Sequence, residues 1–188
     1  MTRKFSLYTP VFYLLAACGP ADVKTQDSNT SMMQSENCVN LKGAVMCDFD
    51  AYDEKGITTS ISTLRGNPIV LDLSAMWCGP CALAASTTQQ KSEVLPKVTF
   101  LTVLIENMQG LPPKEDDLSV WKETYGIDTQ PVWSSSREIL TSSPIDSGEK
   151  VFLDGWPTFY FINSKGEIED YMKGYESSTV LEKASALE

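Results

Sequence analysis

Two cysteines separated by two residues carry the clearest chemical signal in this chain. Residues 77–81 read Trp-Cys-Gly-Pro-Cys, and the thiols of Cys78 and Cys81 can form a reversible disulfide within one helical turn. The preceding residues 69–74 are short and mostly apolar, which predicts a buried strand leading into a helix. The pattern therefore predicts a dithiol at the start of a helix.

A helix N-terminus gives the two sulfurs different properties. The amide dipoles place about half a positive charge there, and this charge stabilises a thiolate. We therefore expect Cys78 to be the more acidic and more exposed sulfur, and Cys81 to be largely covered and to act as the resolving thiol. Gly79 allows a partner to approach closely, and Pro80 suits a first-turn position that needs no amide hydrogen.

The composition excludes several classes of function. The chain has 188 residues, with 15 basic and 25 acidic side chains and a net charge of −10. We therefore expect no nucleic-acid partner, since such binding needs cationic charge. The absence of histidine rules out Ser-His and Cys-His nucleophiles and imidazole zinc sites.

The N-terminus is typical of an export signal. Arg3 and Lys4 precede a mostly apolar stretch, residues 5–17, which is short for a membrane span. Residues 15–18 read Leu-Ala-Ala-Cys and resemble the lipobox of bacterial lipoproteins, which implies cleavage before Cys18 and a lipid anchor on its sulfur. The alternative is a plain secretory signal with an incidental cysteine. Residues 19–37 are polar and lack periodicity, as in a flexible tether.

The cysteine count fits this interpretation. Five cysteines are an odd number for an exported protein unless one is otherwise committed. A lipid on Cys18 leaves Cys38 with Cys47 and Cys78 with Cys81. A structural Cys38–Cys47 disulfide in a small hairpin, residues 38–48, is the favoured interpretation of the first pair. A second redox couple and a zinc site of these four thiolates are the alternatives, but the 38–47 spacing is wide for zinc, and no metal site is expected.

From about residue 44 strands alternate with helices. Residues 69–74, 79–95 and 98–105 form a βαβ pattern, which implies parallel strands. A helix opens at Pro112-Pro113 and ends before Gly126, and a strand at 159–162 is followed by a turn and an antiparallel strand. The remaining predicted elements are a short strand at 132–133, a helical turn at 137–140 and a last helix from about residue 177.

From about residue 49 onward the chain resembles the thioredoxin superfamily, and in particular its membrane-tethered TlpA-like thiol-disulfide oxidoreductases. The resemblance is carried by residues 71–81, by Gly-Trp-Pro-Thr at 155–158, by the hairpin at 161–168 and by Gly174. It implies a three-layer α/β sandwich over residues 38–188, in which a central mixed sheet is flanked by helices. The long segment 106–155 resembles the helical insertion of the TlpA-like branch, placed before a cis-proline strand.

The resemblance also implies roles for individual residues. Cys78 would attack a substrate disulfide, Cys81 would resolve the mixed disulfide, and Asp72 would be the buried acid that accepts the Cys81 proton. Pro157 would have a cis bond and leave a backbone edge for a substrate peptide. Trp77 would fill the core or form a flat lid beside the dithiol, and Trp156 would lie at the position that touches the active-site sulfurs.

Three positions depart from the family pattern. Ser86 replaces a frequent helix proline, so we expect a straighter helix. Residues 82–85 are apolar where charged side chains are common, and Trp156 is bulkier than the usual Thr, Ile or Val. These departures leave the dithiol chemistry intact and leave the substrate open.

The sequence therefore predicts a lipid-anchored protein-disulfide reductase of the bacterial cell envelope. The Gly-Pro pair between the cysteines resembles that of reducing thioredoxins, with potentials near about −270 mV. We expect protein disulfides as substrates, a membrane electron donor, no cofactor beyond the redox disulfide, and a monomer facing the periplasm or the outer side of the membrane. The alternative is a tethered binding protein with an inert Cys78–Cys81 disulfide.

Overall fold

The computed structural model describes residues 39–145 and 150–187. It confirms the predicted α/β fold, a mixed sheet of seven strands flanked by helices. The predicted signal peptide and tether, with Cys18 and Cys38, lie outside the described residues and stay predictions.

The helices and strands begin and end close to the predicted positions. In chain order they are β1 (Asp50–Tyr52), β2 (Thr58–Ser60), β3 (Ile69–Ala75), α1 (Gly79–Val94), β4 (Thr99–Glu106), α2 (Glu115–Tyr125), β5 (Val132–Ser134), β6 (Leu140–Thr141), β7 (Val151–Phe152), β8 (Thr158–Ile162), β9 (Ile168–Lys173) and α3 (Ser177–Ser185), with 3-10 helices at Ile61–Leu64 and Arg137–Ile139.

Strand β3 lies inside the sheet and leads directly to the dithiol. The strand order is β2-β1-β5-β4-β3-β8-β9, with β3 parallel to β4 and antiparallel to β8. The predicted βαβ unit is therefore confirmed, with α1 as its crossover. Every residue of β3 is buried, so the C-terminal end of the strand is a rigid support for the Cys-Gly-Pro-Cys motif that follows it.

The two faces of the sheet are covered differently. On one face, Val70 packs with Ala84 of α1 and Val180 of α3. On the other face, Leu71 packs with Phe49, since successive strand side chains point to opposite faces. This second face is covered by the N-terminal segment, the 3-10 helices and the short parallel pair β6–β7.

The predicted hairpin at residues 38–48 is wrong for its described part, residues 39–48. These residues contain no strand, and Val45 makes an isolated antiparallel bridge with Glu167. The backbone of the segment bonds to the first residue of β9: the Gly43 amide donates to the Ile168 carbonyl (2.7 Å) and the Ile168 amide donates to the Ala44 carbonyl (2.8 Å). The physical reason is that the free edge of β9 supplies partners that an isolated hairpin would have to find within itself.

The long segment between β4 and β8 is only partly helical. Helix α2 begins at Glu115, two residues after the proline pair, because the Lys114 amide donates to the Asp117 carboxylate (2.8 Å). After Gly126 the chain forms β5, a 3-10 turn and the β6–β7 pair. The predicted helical insertion therefore holds for α2, whereas the rest of the segment packs against the sheet.

Candidate active site

The dithiol lies at the first turn of α1, as predicted. Cys78 is the N-cap residue, and its Sγ accepts a hydrogen bond from the Cys81 amide at 3.2 Å. Cys78 and Cys81 form a disulfide with their Cα atoms 5.2 Å apart, and Pro80 occupies the first turn. The backbone amide that bonds Cys78 Sγ is the kind of donor that stabilises a thiolate after reduction.

The two sulfurs differ in exposure in the expected direction, but both are buried. Cys78 is 4% exposed and Cys81 is 0% exposed. A Cβ atom added to Gly79 would meet nothing within 4 Å, so the space beside Cys78 is open to an approaching chain. Cys78 is therefore the less buried of the two cysteines and is followed by a residue with open space around it.

Asp72 lies on the face of β3 that α1 covers. It is 5% exposed, its Oδ1 accepts a hydrogen bond from the Ser74 hydroxyl (2.6 Å), and its Oδ2 has no hydrogen-bond partner among the described residues. Burial raises the pKa of Asp72 from 3.8 to about 7, and the Ser74 hydrogen bond opposes this rise in part. The predicted buried acid with a raised pKa is therefore present.

A small cavity connects Asp72 with α1. It has a volume of about 10 Å³, and Asp72, Ala84, Thr88 and Lys91 contribute to its wall. These helix residues continue the buried stripe that begins at Cys81, because residues three, seven and ten positions along a helix share a face. The cavity is close to the size of one water molecule.

Two tryptophans form the rim of the dithiol. Trp77 and Trp156 meet edge to face with ring centroids 5.9 Å apart. Trp156 also packs against the buried cluster that contains Cys78 and Cys81, and its bond to Pro157 is cis, as predicted. The resemblance placed these residues beside the dithiol, and the structure brings them together there.

Two further rim residues were missed by the sequence reasoning. Glu106, at the end of β4, accepts hydrogen bonds from Trp77 Nε1 (2.7 Å) and from Arg137 Nε. The Arg137 guanidinium lies over the Trp156 ring, 6.0 Å from its centroid. The hydrogen bond from Arg137 is the largest cause of the lowered pKa of the Glu106 carboxyl group. The position of Glu106 at the end of β4 could have predicted its place near the dithiol, since the carboxyl ends of parallel strands lie at the same end of a sheet. Arg137 lies in a segment without periodicity and gave no such signal.

The apolar surface expected from residues 82–85 is seen at Leu83, which is 62% exposed. Ser86 is exposed, and its hydroxyl donates to the Leu83 carbonyl inside an uninterrupted α1. Cys47 is buried and disulfide-bonded, but its expected partner Cys38 is outside the described residues, so that pairing stays a prediction.

Comparison with solved structures identifies the fold. A thioredoxin-family thiol:disulfide interchange protein from Chlorobium tepidum superposes with a TM-score of 0.60 at 19% identity, over 78% of this chain and 97% of that protein. The exposed lipoprotein thioredoxin of Streptococcus pneumoniae superposes with a TM-score of 0.55 at 23% identity, over 74% and 99%. This chain has the thioredoxin fold.

Sequence comparison is consistent with the thioredoxin fold. Thioredoxin H-type 2 of Nicotiana tabacum is 40% identical over 43 residues, which are 23% of this chain and 36% of that relative. The chain thus spans about a third of the length of this relative. No family model matches the chain. The thioredoxin-fold resemblance drawn from the sequence is therefore confirmed at the level of the fold, together with a Cys-x-x-Cys disulfide in the expected place.

Within 39–145 and 150–187, no group of three or more Cys, Asp or Glu side chains is arranged to hold a metal ion. In the same part of the chain no helix is long and apolar enough to cross a bilayer.

Proposed function

We propose that this chain is a thiol-disulfide oxidoreductase that reduces protein disulfides in the bacterial cell envelope. The observation that carries the proposal is the Cys78–Cys81 disulfide at the N-terminus of α1, with the Cys81 amide directed at Cys78 Sγ. A disulfide with a purely structural role requires neither a helix N-terminus at one of its sulfurs nor open space beside that sulfur.

The reaction is a balanced exchange of two electrons. In the reduced protein the Cys78 thiolate attacks a substrate disulfide, so a Cys78–substrate bond forms and one substrate sulfur leaves as a thiolate. The Cys81 thiolate then attacks Cys78, which restores the Cys78–Cys81 bond and releases the second substrate thiolate. A dithiol donor, which we expect to be membrane-bound, reduces the disulfide again. No cofactor takes part in these steps.

Asp72 is the proposed acceptor of the Cys81 proton. A carboxyl group with a pKa of about 7 exchanges protons readily near neutrality. The cavity between Asp72 and α1 is close to the size of one water molecule, which would hydrate the Asp72 carboxyl group. Trp77, Trp156 and the backbone beside Pro157 form the proposed binding site for the substrate peptide, which would align along this edge.

The envelope location rests on the N-terminus and on the neighbours. The lipobox-like residues at 15–18 favour a lipid on Cys18 and a domain that faces the periplasm or the outer side of the membrane. The pneumococcal neighbour is named an exposed lipoprotein, and another similar structure is a secreted thiol-disulfide isomerase of Corynebacterium glutamicum. The Cys38–Cys47 disulfide belongs to the same proposal, since such bonds persist in oxidising compartments. We further propose a monomer.

The test separates this function from that of a tethered binding protein. The rate of iodoacetamide alkylation of Cys78 is measured against pH in the reduced Cys81→Ser protein, and turnover of bis(2-hydroxyethyl) disulfide is measured in the wild type with dithiothreitol as the donor. We expect a thiol that titrates below about 8.5 and measurable turnover. A thiol titrating at or above that value, together with no turnover, would overturn the proposal.

A further inference from the structure

Arg137 reaches the dithiol from a segment far away in sequence. Its Nε donates to Glu106, and Glu106 accepts from Trp77, the neighbour of Cys78. Its guanidinium also lies over Trp156, which packs against the cluster containing Cys78. The cation therefore lies at the rim of the dithiol, joined to it through Trp77 and Trp156.

Most of the hydrogen-bonding capacity of this guanidinium is unused. The bond to Glu106 occupies Nε, and among the described residues no acceptor bonds to Nη1 or Nη2. The Arg137 side chain is 63% exposed, whereas that of Glu106 is 7% exposed. Glu106 and the Trp156 ring thus hold the guanidinium in place while most of the Arg137 side chain is exposed to solvent.

A guanidinium held in this way suits an oxyanion, and in an unmodified peptide substrate that oxyanion is a carboxylate. Two parallel N–H donors in a plane bind a carboxylate in a bidentate manner. The rest of the chain disfavours such a ligand, because the net charge is −10 and the reduced Cys78 adds a negative charge beside the site. A carboxylate near the substrate disulfide therefore needs a local cation to approach the site.

We propose that Arg137 is a specificity-determining residue that binds a carboxylate next to the substrate cysteine, so that the preferred substrates are disulfides flanked by acidic groups. The carboxylate comes either from an acidic side chain or from a C-terminal main-chain carboxyl group. This inference rests on the proposed reductase function and adds a substrate class to it.

The experiment measures, for each protein, the ratio of kcat/KM for a peptide with an acidic group to kcat/KM for its neutral counterpart. The substrates are short cysteine peptides in mixed disulfide with 2-mercaptoethanol, identical except for Glu, Gln or Lys after the cysteine and amidated at the C-terminus. A second pair ends at the residue after the cysteine, with a free or an amidated C-terminus. Wild type, Arg137→Gln, Arg137→Glu and the matched control Arg65→Gln are compared. Arg65 is also exposed and lies at the opposite end of β3, next to Gly166.

We expect the wild type to reduce the Glu peptide about threefold to fivefold faster than the Gln peptide in kcat/KM, as for a partly exposed ion pair. Arg137→Gln should bring this ratio to one, Arg137→Glu should favour the Lys peptide, and Arg65→Gln should keep the wild-type ratio. A preference in the amidated Glu arm identifies the side chain as the source, and one in the free-terminus arm identifies the main-chain carboxyl group.

A wild-type ratio of one in both arms would overturn the inference, as would a preference that survives in Arg137→Gln. If Arg137→Gln does not fold, the salt dependence of the wild type tests the inference instead. About 0.5 M salt should remove the preference for the Glu peptide, while the Gln peptide is reduced at an unchanged rate. A preference that does not depend on salt would overturn the inference. Failure of the reductase function itself is distinguishable, since the Gln peptide would then not be reduced by any of the proteins.

Discussion

The indole of Trp77 donates a hydrogen bond to Oε2 of Glu106 across 2.7 Å. Trp77 precedes the dithiol, whereas Glu106 ends the strand that runs parallel to β3. The bond fixes a half-exposed tryptophan to a buried carboxylate. Because Arg137 bonds the other oxygen of the same carboxylate, Glu106 joins the two sides of the active-site rim.

Replacement of Glu106 should therefore destabilise the fold as well as the rim. Glu106→Ala leaves Trp77 Nε1 and Arg137 without their acceptor, and we expect the free energy of unfolding to fall by about 2–3 kcal/mol, as for hydrogen bonds to a charged group. Urea denaturation of the oxidised protein at neutral pH measures this change.

The matched control is Glu54→Ala. Glu54 pairs with Lys122 (2.7 Å) and is 40% exposed, so we expect a loss of no more than about 1 kcal/mol. Equal losses in the two variants would contradict the structural importance of Glu106.

Asp72 should make stability depend on pH with a definite sign. Its pKa is about 7 in the folded protein and 3.8 as an unperturbed group. Unfolding therefore releases a proton from Asp72 at any pH between about 4 and 7. The unfolded chain then binds fewer protons, and stability falls as pH rises from about 4 to 7. The full effect is on the order of 4 kcal/mol at pH 8.

The variant Asp72→Asn stays neutral and should lack this decline. Urea unfolding of the oxidised proteins at pH 4.5 and pH 8 should show a fall in stability for the wild type that is much smaller in Asp72→Asn. The same variant should slow the release of the mixed disulfide near neutrality, since Cys81 loses its proposed proton acceptor. The same pH dependence of stability in the wild type and in Asp72→Asn would contradict the buried acid.

The two cysteines should behave asymmetrically when substrates are trapped. In Cys81→Ser the mixed disulfide on Cys78 cannot be resolved, so protein adducts should accumulate. In Cys78→Ser the remaining thiol is fully buried, and few adducts should form. Non-reducing electrophoresis and mass spectrometry of adducts from envelope extracts measure both, and equal trapping by the two variants would refute the assigned roles.

Trp156 should limit access to Cys78. We expect Trp156→Thr to speed alkylation of reduced Cys78 by a bulky maleimide severalfold, with little change for iodoacetamide, because the indole packs over the dithiol cluster. Loss of the contact with Trp77 should also cost about 0.5–1.5 kcal/mol of stability. The reagent comparison separates access from thiol reactivity, since a change in the Cys78 pKa would alter both rates alike.

Local sequence was sufficient for the dithiol and its support. Strand 69–74 and the helix after Cys78 were predicted because periodicity and capping act over a few neighbouring residues, whereas the buried acid at Asp72 was implied by the family resemblance. The cis bond of Pro157 followed from a family resemblance and is confirmed. The hairpin at 38–48 was wrong because its backbone partners come from residues 166–168, which no local pattern reveals.

The sequence alone determined that two thiols of unequal character stand at a helix N-terminus, since strand, turn and helix signals are contiguous there. Only the tertiary structure decided what surrounds them. Glu106 and Arg137 are 31 residues apart, and they meet at the rim because β4 runs beside β3 and the segment after β5 folds back over the sheet edge. Chain topology and packing set such contacts, and a single sequence carries no local signal for them.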